Sequence, residues 1–234
     1  GQLRWISPNW SGVEVGVSYR PDPTRTAAQN QSLSSIGVRW SNPSFYVALT
    51  QETHKDYHAI SGVRSGGIYG GTASVTTQGT AGAADSTVAA FNNTTSKDTA
   101  SKISLGYTAE KFRLGMDISK LDYNEDNTVG TQISNYNNIN WQITGEYKVT
   151  QAVTVGGNYG VSGAGSCSLV GGGTCSTDGL GGTMMSFGGR YDFDKTYGVF
   201  ALYGRSVNNS SGQLGGANSG GTVSSVAAGV QAKW

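Results

Sequence analysis

A short run of alternating apolar and polar residues recurs about eleven times along this chain, and the runs are joined by tight turns and long polar loops in alternation. Side chains of a strand point to opposite faces with period two, so each run carries one apolar face and one polar face. Strands of this kind, joined short-long-short-long, are the pattern of an antiparallel transmembrane β-barrel. The alternation therefore decides the solvent before it decides anything else: one face for lipid, the other for water.

Composition agrees with such a wall. Charged residues make up 13% of the 234 residues, against about 25% in soluble domains. Mean hydropathy is nevertheless −0.31, because Ser, Thr, Asn and 36 Gly fill the gap. No stretch approaches the roughly 18 apolar residues of a membrane-spanning helix. A net charge of +1 gives no footing for a nucleic-acid partner. Gly1 enters a strand-like run directly, so a leader is expected to have been removed or the chain trimmed.

The first run, QLRWIS, sets Leu3 and Trp5 against Gln2 and Arg4 and ends at Pro8-Asn9, a turn signal. In GVEVGVSYR, residues Val13, Val15, Val17 and Tyr19 point outward while Glu14, Gly16, Ser18 and Arg20 point inward. Ile36, Val38 and Trp40 oppose Ser35, Gly37 and Arg39, and a turn at Asn42-Pro43 leads into FYVALTQ. Residues 52 to 100 form the longest excursion, read as an outer-mouth loop that has room for one more hairpin around Ile60 to Tyr69. KISLGYT and FRLGMDIS follow, then a polar loop, DYNEDNTVGTQISNYNN, then INWQITGEYKV with Trp141, Ile143 and Tyr147 toward lipid. AVTVGGNYG, MMSFGGRYDF, TYGVFALYGR and TVSSVAAGVQAKW complete the series. TYGVFALYGR is apolar on both faces, which suits a wall strand buried against another subunit. Aromatic residues gather near the run ends, as interfacial girdles require.

Chemistry-bearing constellations are scarce. Cys167 and Cys175 lie in the Gly/Ser-rich segment SCSLVGGGTCS with no His or further Cys nearby. They are expected to form a disulfide, which points to an oxidising compartment. His54 and His58 fall within the longest loop, where Gly-rich flanks oppose the helix that an i, i+4 metal site needs. No nucleophile elbow and no phosphate loop is present, so the chain is expected to be no enzyme and to need no organic cofactor. One set of residues invites a role. Arg4, Arg20, Arg39, Lys102, Arg113, Lys148, Arg190 and Lys233 fall on the inferred water-facing side, against Glu14, Asp117, Glu146 and Asp192. Fixed cations in a narrow pore favour anions, and Arg4, between membrane-facing Leu3 and Trp5, is the leading candidate.

The segments LRWISPNWSGVEVGVSY, SKDTASKISLGYTAEKFRLGMDIS, SFGGRYDFDKTYGVFALYGRSVN and VAAGVQAKW resemble the trimeric general porins of Gram-negative outer membranes, especially the beta-proteobacterial branch. The resemblance implies a sixteen-stranded barrel, a homotrimer in the lipid bilayer, and passive diffusion of ions and small hydrophilic solutes. It implies that the outer-membrane assembly machinery reads the last strand, here Val230, Ala232 and Trp234, with Trp in the place of the family's usual Phe. It also implies chain before the SPN turn that carries further strands and an inward-folded loop. The odd strand count agrees, since single-chain bacterial barrels are even-stranded with both termini periplasmic. Residues 1 to 234 are thus expected to be one barrel domain lacking N-terminal strands, the C-terminal portion of a porin. The rival functions are a surface adhesin or structural barrel acting through the long loops, and a soluble β-sandwich.

Overall fold

The computed structural model describes residues 1–21, 31–57, 95–125, 133–169, 175–212 and 219–232. All regular structure among them is antiparallel strand. The strands are β1 (Leu3–Ile6), β2 (Val13–Pro21), β3 (Ser32–Ser41), β4 (Phe45–Lys55), β5 (Ser96–Thr108), β6 (Phe112–Glu125), β7 (Ile133–Lys148), β8 (Val153–Ser162), β9 (Ser166–Leu169), β10 (Gly182–Asp192), β11 (Tyr197–Asn208) and β12 (Thr222–Ala232). They form a 12-stranded sheet in which each strand pairs its sequence neighbour, except that β8 pairs β10 and β9 pairs only β7. Within this sheet β1 is hydrogen-bonded on one side, to β2, and β12 on one side, to β11.

Four of the tight turns use one device. Asn9 Oδ1 accepts from the Gly12 amide at 2.7 Å, and Asn42 Oδ1 from Ser44 and Phe45 at 2.9 and 2.7 Å. Thr150 Oγ1 accepts from Ala152 and Val153 at 3.1 and 2.9 Å, and Asp194 Oδ1 from Thr196 and Tyr197 at 2.6 and 2.7 Å. A short polar side chain thus satisfies amides that the ladder leaves open at its end. Gly12, at φ 94°, is required in its turn. A Cβ there would collide with the Ser41 carbonyl oxygen and strain a left-handed backbone.

The packing inverts that of a soluble domain. The buried apolar residues among those described are Ala48, Tyr136 and Leu180, whereas Leu3, Ile36, Leu49, Ile103, Leu114, Ile139 and Phe187 are all exposed. Register explains it, because every one of those exposed residues lies on one face. Val15, Val38, Leu49, Ile103, Ile118, Trp141 and Val161 are successive cross-strand partners on it. Apolar area on this scale and so continuous is tolerated only against lipid or a partner. At its short-turn edge Phe45, Tyr107 and Phe112 form a chain of ring contacts, 5.0 and 5.6 Å between centroids. Tyr191 and Phe193 meet edge-on at 5.2 Å. These rings are the interfacial girdle.

Two expectations change. The long excursion is shorter than residues 52 to 100, since β4 runs through Lys55 and β5 begins at Ser96. Beyond Leu49 both faces turn polar, so the hydrophobic alternation stops while the backbone ladder continues. The β6–β7 excursion is shortened in the same way, with strand to Glu125 and again from Ile133. TYGVFALYGR does carry apolar residues on both faces. Phe200 and Leu202 point to the polar side, where Gly229 and Gly188 of the flanking strands leave room for them. The proposed hairpin around Ile60 to Tyr69 lies outside the described residues, as do His58, Lys233 and Trp234.

Candidate functional site: the polar face of the sheet

Register also assembles the polar face. Arg4, Ser18, Ser35, Glu52, Ala100, Leu121 and Asn138 are successive partners across β1 to β7. The next row on this face runs Ile6, Gly16, Gly37, Thr50, Lys102, Ser119, Asn140, Ser162 and Gly182. Small residues keep it low, and charged ones stand out from it. A cavity of about 730 Å³ on this side extends from β1 to β6, lined by Arg4, Glu14, Arg39, Thr50, Glu52 and Lys102 among others.

Three of the cations are neutralised locally. Arg39 is ion-paired with Glu14, its cross-strand partner. Lys102 Nζ lies 3.0 Å from Asp117 Oδ1. The same carboxylate accepts from Ser104 Oγ and, at 2.8 Å, from Gln142 Nε2. Arg190 Nε donates to Asp192 Oδ2 at 3.0 Å on the same strand. Such charge-assisted contacts fix both side chains against the wall.

Arg4, Arg20, Arg113 and Lys148 stand on the same face without an ion-pair partner among the described residues, although register sets Arg113 opposite Glu146. Arg20 lies beside Leu33, toward the long loops. Arg113 and Lys148 lie at the short-turn end with Arg190, so the structure spreads these cations along the wall and does not gather them into one ring. Glu52, Asp98 and Glu125 are also on this face, the last two buried. They lie beyond the hydrophobic alternation, and the sequence signal for them is residue parity continued outward from Leu49, Ile103 and Ile118. His54 is in a strand beside Glu52, to which it is hydrogen-bonded, so its spacing to His58 carries no helical geometry. Cys167 and Cys175 are joined by a disulfide with Cα atoms 5.9 Å apart. It closes a segment in which β9 folds back onto the loop end of β7, and Thr177 Oγ1 ties the returning chain to the Gly165 carbonyl at 2.8 Å.

A sequence model of the Gram-negative porin matches residues 1–213. The chain belongs to the Gram-negative porin family. Two solved structures share the fold, both of OmpT, an outer membrane protein of Vibrio cholerae. The loop L8 deletion mutant superimposes with a TM-score of 0.61 at 14% identity, covering 100% of this chain and 62% of that one. The in-vitro folded trimer form gives 0.60 at 15% identity, covering 100% and 64%. This porin chain thus spans less than two thirds of the length of either. No curated protein matches the sequence. Family and fold place the protein in the bacterial outer membrane, with the apolar face toward lipid.

Proposed function

We propose that the protein forms a water-filled channel for passive diffusion of ions and small hydrophilic solutes, with no catalytic step and no cofactor. The observation that carries this reading is the two-faced sheet, in which a wall made mostly of Gly, Ser, Thr, Asn and charged residues, with Ile6, Leu121, Phe200 and Leu202 among them, backs a lipid belt. A barrel whose interior were packed shut would need apolar or tightly interlocked side chains along that wall. Further strands would pair the free edges of β1 and β12, because an open ladder edge in hydrocarbon leaves amides unsatisfied at several kcal/mol each. With eleven strands in the continuous path here, five more would give the sixteen that the resemblance implies. The trimer form of OmpT supports a homotrimer for this chain as well.

A mild anion preference belongs to the proposal, since Arg4, Arg20, Arg113 and Lys148 have no ion-pair partner among the described residues. Val230, Ala232 and Trp234 are proposed as the signal read by the assembly machinery. Liposome swelling with neutral sugars of graded size tests the channel. The full-length protein should admit monosaccharides and exclude large oligosaccharides with a sharp cut-off. Proteoliposomes as tight to every sugar as empty vesicles would refute it.

A further inference from the structure

A second cavity on the polar face, of about 570 Å³, adjoins the first at Lys102 and Ser119 and reaches across to β11. It is lined by Lys102, Asp117, Asn138, Asn140, Gln142 and Met184 among others. Small-molecule sites span about 300–1,000 Å³, so the size suits a compact solute. Register gives the cavity a trough. Gln142, Gly160, Met184 and Ser206 are successive partners across β7, β8, β10 and β11. Asn140, Ser162 and Gly182 form the adjoining row. Gly160 leaves a bare floor between Gln142 and Met184, which stand two strand spacings apart, about 10 Å. A Cβ on Gly160 would lie 3.4 Å from Gln142 Cβ and from the Trp141 carbonyl oxygen, so the floor has room for a side chain that the sequence does not supply.

The chemistry around the trough is neutral overall and differs between its two walls. Among the described residues that line it, the charged ones are Lys102 and Asp117, paired at 3.0 Å. Asp117 also accepts from Gln142 Nε2 at 2.8 Å and from the Ser104 hydroxyl. That anchors the Gln142 amide plane and turns its Oε1 away from the carboxylate. Asn138 and Asn140 donate to each other's Oδ1 at 3.3 and 3.4 Å, longer than an ordinary N–H···O bond, so a ligand can replace these contacts with better ones. Across the floor, Met184 is 49% exposed on a face that meets water, and its unbranched side chain adapts to what lies against it. Its cross-strand partner Ser206 is buried, with an Oγ that lacks a hydrogen-bond partner, a state that buried polar groups rarely keep.

Planar amides that both give and accept, one apolar wall and balanced charge suit a pyranose, which carries hydroxyls around its rim and C–H groups on its ring face. An anion would find Lys102 already neutralised, and an apolar solute would strip the amides of water without replacing it. We propose that the trough is a binding subsite for a neutral mono- or disaccharide, with rim hydroxyls on Asn140 and Gln142 and a ring face on Met184. Displacement of the Met184 side chain brings a ligand hydroxyl to Ser206 Oγ. This role presupposes the water-filled channel proposed above and adds a saturable stop on its wall.

The test uses the full-length protein in planar bilayers, with ion current recorded while sucrose, lactose, maltose or trehalose is titrated in. At least one of them should lower the current saturably, with half-saturation on the order of 10 mM. Polyethylene glycol of equal mass, which lacks the hydroxyls, should lower it only in proportion to bulk conductivity. Asn140→Ala with Gln142→Ala should raise the half-saturating concentration roughly tenfold, and Gly160→Val, which fills the floor, should abolish saturation. Thr154→Ala, on the polar face toward the short turns, should leave it unchanged. Heat-modifiable gel mobility checks that each variant is folded. Saturation-transfer NMR of the same sugars on the detergent-solubilised protein reads binding without conduction, so a channel without the subsite and a subsite in a closed barrel are told apart. A linear response to all four sugars with no saturation transfer would overturn the proposal. So would equal half-saturation in the native protein and the folded double Ala variant, or equal saturation by polyethylene glycol.

Discussion

The Glu14–Arg39 pair offers a quantitative handle on how the polar wall treats ions. Its guanidinium side chain is 54% exposed and the carboxylate 19%, so replacing Glu14 by Gln releases a cation that already stands largely in water. For an ion passing about 7 Å away, the bare interaction in water is about 0.6 kcal/mol. Screening at 0.1 M salt, with a Debye length near 10 Å, reduces this to about 0.3 kcal/mol. Anions are enriched and cations depleted by that amount, so the anion-to-cation permeability ratio should rise roughly two- to threefold. Raising the salt to 1 M shortens the Debye length to about 3 Å and should erase most of the difference. Reversal potentials of the full-length Glu14→Gln protein and its parent, measured across a salt gradient in planar bilayers, read the ratio directly. An unchanged ratio at 0.1 M, or a shift toward cations, would refute the reasoning that Arg39 faces the ion path.

Other perturbations bear on the wall and its turns. Gly188→Ala would push a Cβ into the Ala201 carbonyl and Leu202, and should cost about 1–3 kcal/mol in urea unfolding from bilayers. Gly145→Ala meets only Leu114 Cδ2 at 3.7 Å and should leave the midpoint unchanged. Asp194, in the β10–β11 turn, has its carboxyl held below the ordinary 3.8 by the Tyr197 and Thr196 amides. Its folded pKa is depressed, so its contribution is present above pH 3.8 and is lost as pH falls through the lower folded value. Hydrogen exchange at Thr196 and Tyr197 should accelerate in that acid window, and in Asp194→Ala at every pH. Reduction of Cys167–Cys175 should expose the β8–β10 excursion to proteases while the strands of the wall stay resistant.

What the sequence made legible follows the lipid. Wherever one face meets hydrocarbon, as in Val13 to Tyr19 or Phe112 to Ile118, alternation marks strand, face and register together. Past the edge of the belt both faces meet water and the signal disappears, although hydrogen bonding continues. The upper ends of β4, β5, β6 and β7 therefore carry no strand signal in the sequence, and neither do Glu52, Asp98 and Glu125 on the polar face or the cross-strand partners Lys55 and Lys97 on the other. β9 was hidden for a different reason. Four residues in a Gly/Ser-rich stretch carry no period, and their strand form comes from pairing with β7. In β11, glycines on neighbouring strands, invisible to a single-strand reading, make room for Phe200 and Leu202 on the polar side.

Single-channel recording in planar bilayers is the most direct test of a lipid-facing belt backed by an aqueous wall. The full-length protein should insert in discrete steps, with ohmic conductance that scales with bulk salt, as a wide water-filled pore requires. Insertion of folded protein without conductance steps would contradict the account and leave a closed, structural barrel.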